Sequence, residues 1–146
     1  MSHTFTNNWK NILDKLENAF ETEFKGALRV YKSAEIPKGV NQALQLIPTG
    51  SVLNEINTNS ELREYSILIR FVFSEVNVRE TAVDHILRYV SRIESLIAKE
   101  NFTMTLADSS QAFNCRIEST ELNTDEDSGA YIAEFDWKCQ HLGNID

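Results

Sequence analysis

The stretch LREYSILIRFVFSE, residues 62–75, decides how the rest of the chain is read. Tyr65, Ile67, Ile69, Phe71 and Phe73 fall on one side of an extended backbone, and Ser66, Leu68, Arg70, Val72 and Ser74 on the other. Period two over this length, carried by β-branched and aromatic residues, predicts a strand with one face in the core. The second face mixes apolar and polar side chains, so it is expected to be half covered. Directly after it, Asn77 stands three residues before Glu80, the pairing of an N-cap with an acid that can answer the free amides of a first helical turn. From 78 to about 100, Val78, Ala82, Val83, Ile86, Leu87, Val90, Ile93, Leu96 and Ile97 recur at spacings of three and four, the apolar stripe of a long helix. Asp84 and Arg88 make an i,i+4 pair on its outer side, and Lys99 with Asn101 suits its C-terminus. At 1.5 Å per residue this helix spans roughly 33 Å.

Working toward the N-terminus, Trp9, Ile12, Leu13, Leu16, Phe20 and Phe24 form one stripe of a second amphipathic helix over 7–24. Gly26 breaks it, 27–31 reads as a short strand, and Pro37 with Gly39 marks a loop. Residues 42–47 alternate as a second strand, closed by the turn signal Pro48-Thr49-Gly50. The polar, Asn- and Ser-rich run 51–61 reads as a surface loop. Toward the C-terminus the pattern turns to strands: a short one from Phe102 to Ala107, a longer one from Ala112 to Leu122, an acidic turn over 123–129, and a last strand over 130–142. That last strand sets Tyr131, Ala133, Phe135, Trp137 and Cys139 against Ile132, Glu134, Asp136, Lys138 and Gln140, the half-buried antiparallel pattern. The expectation is one domain, 1–146, of the α+β class. It has a mainly antiparallel sheet packed against one long helix, an N-terminal amphipathic helix and a C-terminal β-hairpin.

A chain of 146 residues buries enough surface to fold without metal or disulfide staples. Its 14 basic and 22 acidic residues, net −8, make it a poor general phosphate binder, because nucleic-acid affinity rests on Lys and Arg. The same balance disfavours an anionic membrane surface. A negative wall, however, suits a conduit past which a polyanion must slide. No signal segment and no apolar run of membrane-spanning length are visible, and two cysteines make no disulfide framework; synthesis in a cytosol is the expectation.

Few residues offer chemistry. In a hairpin centred near 127, Cys115 faces Cys139, with His141 two residues further on the same face, so three zinc-type ligands converge. A fourth ligand is lacking, and two reduced thiols beside an unrelated histidine are the preferred reading; a disulfide in an oxidising medium stays open. His85 sits next to Asp84 on the polar side of the long helix, but adjacent helical positions point about 100° apart and do not make a catalytic pair. Asp125, Glu126 and Asp127 before Gly129 lack the spacing of a calcium loop. The five glycines are isolated turn markers rather than a phosphate cradle. No enzyme and no cofactor are expected.

The order of elements is more telling. A short helix, a strand, a strand ending at Pro48-Thr49-Gly50, the strand through 66–73, the long helix, and a hairpin containing Cys115-Arg-Ile-Glu-Ser-Thr120 and Ala130-Tyr-Ile-Ala-Glu-Phe-Asp-Trp137 together resemble the tail-terminator and tail-completion proteins of tailed bacteriophages. The resemblance covers nearly the whole chain and has no fixed signature residues. It implies a virion protein of the tail or neck region, made in the host cytoplasm. Such proteins form rings, typically hexamers, on the tail tube; they end its growth and present a surface to the head–neck connector. The implied partners are further copies of the chain, the tail tube protein, the connector or stopper protein, and passing genomic DNA held without specific binding. Candidate interface or lumen residues are Thr49, Gly50 and Asn54 in the 49–60 loop, Leu68 and Val72 on the second face of the long strand, and Asp125, Glu126 and Asp127 at the acidic tip. Competing expectations are another type of head–tail joining protein and a small cytosolic dimeric binding or regulatory domain with a ligand groove.

Overall fold

A computed structural model describes residues 5–25, 28–32, 42–74, 79–125 and 130–144. In chain order the elements are α1 (Asn8–Phe24), β1 (Arg29–Tyr31), β2 (Gln42–Ile56), β3 (Ser60–Ser74), α2 (Arg79–Glu100), β4 (Met104–Thr105), β5 (Gln111–Asp125) and β6 (Ala130–Asn144). The strands form one six-stranded sheet in the order β1-β2-β3-β6-β5-β4.

The alternation of β3 is realised residue by residue. Tyr65, Ile67, Ile69, Phe71 and Phe73 are buried, while Ser66, Leu68, Arg70 and Val72 are half-buried. In register beside it, Ala133, Phe135, Trp137, Cys139 and His141 of β6 point into the same layer, as do Leu44 and Leu46 of β2. Both helices close that layer. α1 contributes Ile12, Leu16, Phe20 and Phe24, one residue per turn. α2 contributes Ile86, Val90, Ile93, Leu96 and Ile97. Tyr89 of α2 shows that the two helices share one face of the sheet: its ring stacks on Phe71 of β3 at 5.2 Å and on Phe24 of α1 at 5.4 Å. The Arg92 guanidinium lies over Phe24 at 4.6 Å and bonds Glu23 at 2.9 Å, tying the helices to each other. Burying each such large side chain contributes about 1.5–3 kcal/mol.

The helix ends follow local chemistry. Asn7 Oδ1 accepts the Lys10 amide at 3.1 Å, and Lys25, at φ 49°, ends α1 in the left-handed conformation. At the far end of α2, Asn101 Nδ2 donates to the Leu96 carbonyl at 3.1 Å. Asp84 and Arg88 pair at 2.9 Å as expected. Asn77, Gly26, Pro37 and Gly39 lie outside the described residues. Among the described residues no helix is long and apolar enough to cross a membrane.

Four expectations are corrected. The sheet is mixed, because β1 pairs with β2 in parallel, Arg29 beside Ala43 and Tyr31 beside Gln45. Strands outweigh helices, and α1 packs into the core as fully as α2, so this is not a mainly antiparallel sheet on one long helix. Nor are 42–47 and 51–61 a strand followed by a loop. β2 runs on through Pro48 to Ile56 and turns at 57–59 into β3, where Asn57 Oδ1 accepts the amides of Asn59 and Ser60. The pairing absorbs two extra residues, Thr49 between Pro48 and Gly50 and Asn54 between Leu53 and Glu55. Each bulge flips the alternation, so no single period runs through the strand. Pro48 is tolerated because β1 covers only 43–45 of the outer edge of β2. The strand expected over Phe102 to Ala107 shrinks to Met104–Thr105.

Candidate functional site

The cysteine–histidine group is a core feature. The β5–β6 register passes from Phe113 beside Gln140 to Arg116 beside Lys138, so Asn114 and Cys115 share the place opposite Cys139. Asn114 takes φ 54° to make that bulge. Both cysteines are fully buried and unpaired as disulfides, and Cys115 Sγ donates to the Ala112 carbonyl at 3.5 Å. Contact with Cys115, and then burial, pushes the Cys139 thiol far above its ordinary value, so no thiolate forms there.

His141 turns elsewhere. Its Nε2 lies 2.9 Å from Ser110 Oγ, and that hydroxyl donates to Asp108. A hydroxyl has one proton, and Asp108 takes it, so His141 is the donor to Ser110. The order His–Ser–Asp is the reverse of a nucleophile activated by a base, in which the serine donates to the histidine. The chain instead fastens the 106–110 turn, where Ser109 has φ 72°, onto β6. Burial holds the His141 imidazole below its ordinary pKa, against the pull of Asp108 and Glu61. A small cleft of about 300 Å³ opens beside it, lined by Thr6, Asn8 and Asp108 among others. Among the described residues no group of three His, Cys, Asp or Glu side chains is placed to hold a metal ion. His85 does not lie on a polar face: it stacks on Phe73 at 4.4 Å and meets Gln42 Oε1 at 3.1 Å, while Asp84 pairs with Arg88.

The surface residues named from sequence fall in three places. Thr49, Gly50 and Asn54 lie on the outer half of β2, all exposed, and Thr49 and Asn54 are the two bulge residues. This half of the β2–β3 hairpin also exposes Val52 at 59%, Leu53 at 43% and Ile56 at 60%. Sequence reasoning missed those three because the bulges mask the alternation that would have marked a strand.

Leu68 and Val72 are half-buried on the sheet face opposite the helices. In register with them stand Asp136 and Ile132 of β6. That face carries a ladder of ion pairs: Arg70 with Glu134 at 3.2 Å, Arg116 with Glu64 at 3.0 Å and Glu118 at 2.7 Å, and Lys138 with Glu118 at 3.7 Å and Asp136 at 3.9 Å. These three cations are thus already paired, and Glu121, in register with Glu134, adds further negative charge. Paired in this way, Arg70, Arg116 and Lys138 are poorly placed to grip a phosphate.

The third place is the end of β5 that leads to β6. Asp125 ends β5 beside Ala130, level with Ser74, and so at the end of the sheet opposite the 57–59 turn. Glu126 and Asp127 lie outside the described residues.

No protein-family model matches the chain, and no curated protein matches it in sequence. Solved structures do match in fold. A chain from the virion of a native gene transfer agent particle superposes with a TM-score of 0.61 over 93% of this chain and 95% of that one, at 11% identity. At that identity the likeness is one of fold.

Proposed function

We propose that this chain is a structural virion protein that assembles as a ring, of six copies as in the phage family it resembles, on the end of a tail tube. The ring ends tube growth and joins the tail to the head–neck connector, and the protein makes and breaks no covalent bonds. The observation that carries this reading is the fold shared along nearly the whole chain with a component of a gene transfer agent virion. Three features of the surface support it. The two helices pack on one side of the sheet, the other side is an acidic face on which Arg70, Arg116 and Lys138 are paired with carboxylates, and the two long hairpins end at opposite ends of the strands. In a ring whose axis runs near the strand direction, the helix-free face borders the lumen and repels DNA. The 57–59 turn then meets one axial neighbour, and the opposite end of the β5–β6 pair, at Asp125 and Ala130, the other.

The test is electron microscopy of the purified protein mixed with tail tubes. Annular particles, or a cap at one tube end with tube length held constant, are expected. Tubes that bind no protein at either end and grow unchecked in its presence would refute the proposal.

A further inference from the structure

We infer that copies of this chain join edge to edge, the free outer edge of β2 in one copy pairing antiparallel with the free outer edge of β5 in the next. The inference rests on the ring reading and supplies its interface. Among the described residues the sheet has two long unpaired edges. On one side β1 occupies only 43–45, leaving 46–56 of β2 open. On the other, β4 occupies Gln111 and Ala112, and the Phe102 carbonyl takes the Cys115 amide, leaving 116–125 of β5 open. The two stretches differ in length by one residue. Neither carries a lysine; the devices that interrupt them are Pro48 with the bulges at Thr49 and Asn54 on β2, and the bulge at Glu118 on β5. Both expose large apolar side chains, Val52, Leu53 and Ile56 on one, and Leu122, with Phe102 nearby, on the other.

Strand polarity permits the joint. β2, β3, β6 and β5 alternate in direction, so β2 and β5 run oppositely within one copy. A rotation about an axis near the strand direction keeps that polarity, so the incoming β2 meets β5 antiparallel. Position along the strands decides whether such a ring closes. The middle of the open β2 stretch, Ser51, lies level with Tyr65 and Cys139; the middle of the open β5 stretch, Thr120, lies level with Phe135. The step from Cys139 to Phe135 is four residues, roughly 13 Å at ~3.3 Å per residue, across four long strands spanning roughly 19 Å at ~4.8 Å per strand. A rise of 13 Å over 19 Å is a strand tilt of about 35°, within the range at which sheets close on themselves. Pairing of β2 with its own counterpart about a two-fold axis would leave the β5 edge uncovered.

Ser51 and Thr120 each sit opposite a buried partner, Tyr65 and Phe135, and so belong to the same side of the sheet. The test is oxidation of the double variant Ser51→Cys, Thr120→Cys with a copper–phenanthroline oxidant, alone and on tail tubes, read on non-reducing gels. Head-to-tail pairing gives a covalent ladder from the double variant, monomers from each single variant, and dimers only from the two single variants mixed. Dimers from Ser51→Cys alone would overturn the inference in favour of a two-fold joint. Rings by microscopy without crosslinks would overturn it while leaving the ring reading standing; neither rings nor crosslinks on tubes would overturn both. Independently, Leu53→Lys with Ile56→Lys, or Leu122→Lys alone, is expected to lower the ring count about tenfold by burying an unpaired charge. All three side chains are exposed in the single chain, so unchanged melting of the isolated variants checks that they fold; rings formed at the unmodified level would also overturn the inference.

Discussion

Replacing Phe71 with alanine tests whether the two helices are held to the sheet through the side chain that touches both layers. Phe71 is fully buried, and its ring stacks on Tyr89, which in turn stacks on Phe24. Truncating a buried phenylalanine costs about 3–5 kcal/mol through lost transfer energy and the cavity left behind. The lost aromatic pair lies partly within that range, so about 4 kcal/mol is expected. Against a total stability of roughly 5–15 kcal/mol this is a large share. For a chain of this length each kcal/mol moves the midpoint by roughly 3–4 °C, so a fall of about 12–16 °C is expected. The neighbouring change Val72→Ala, on the helix-free face, should cost about 1 kcal/mol, because that side chain is only half-buried and leaves no enclosed void. Thermal melts followed by far-ultraviolet circular dichroism and by the emission of the buried Trp137 measure both. If Val72→Ala proves as costly as Phe71→Ala, the assignment of the helix-bearing face is wrong.

Three further outcomes follow from the site. His141 is held below its ordinary pKa by burial, so its neutral form is favoured on folding and protonation favours the unfolded chain. Its contribution is therefore constant above the ordinary imidazole value of about 6.5 and is lost as pH falls from there toward the depressed folded value; urea midpoints of wild type minus His141→Gln should shrink in that window, and a flat difference would count against the buried neutral form. Arg116→Ala removes a part-exposed guanidinium that bridges Glu64 and Glu118, and should cost about 1 kcal/mol, less at high salt, as read by urea unfolding at two ionic strengths. Cys115 and Cys139, both fully buried, should react with an aromatic disulfide reagent only at the rate of unfolding; prompt reaction of either in the native state would contradict their place in the core.

The long β3 strand, the α1 stripe and most of α2 were legible in the residues themselves because each buries one face, and burial imposes a period that the sequence must show. Among the described side chains of that stripe Leu87 is the exception: it continues the apolar stripe of α2 yet is 45% exposed, since a stripe wider than its contact leaves one side in water. The Cys115–Cys139 neighbourhood was also legible, because a hairpin centred near 127 forces it, although the bulge at Asn114 displaces the register by one residue. Reading the acidic balance as unsuited to phosphate binding needed only the charge count, and the ion-pair ladder shows how that balance is distributed over one face.

Other features were settled only by three-dimensional neighbours. The outer half of β2 is buried on neither side, so no period marks it, and bulges at Thr49 and Asn54 break what alternation remains; only pairing with β3 makes 48–56 a strand. The parallel placement of β1 depends on a long-range choice of edge that three residues cannot encode. His85 and His141 likewise took their roles from distant elements, Phe73 and Gln42 for one, Ser110 and Asp108 for the other. Local sequence determines what must be hidden from water. Which edges stay open for another chain is decided only when every strand has taken its partner.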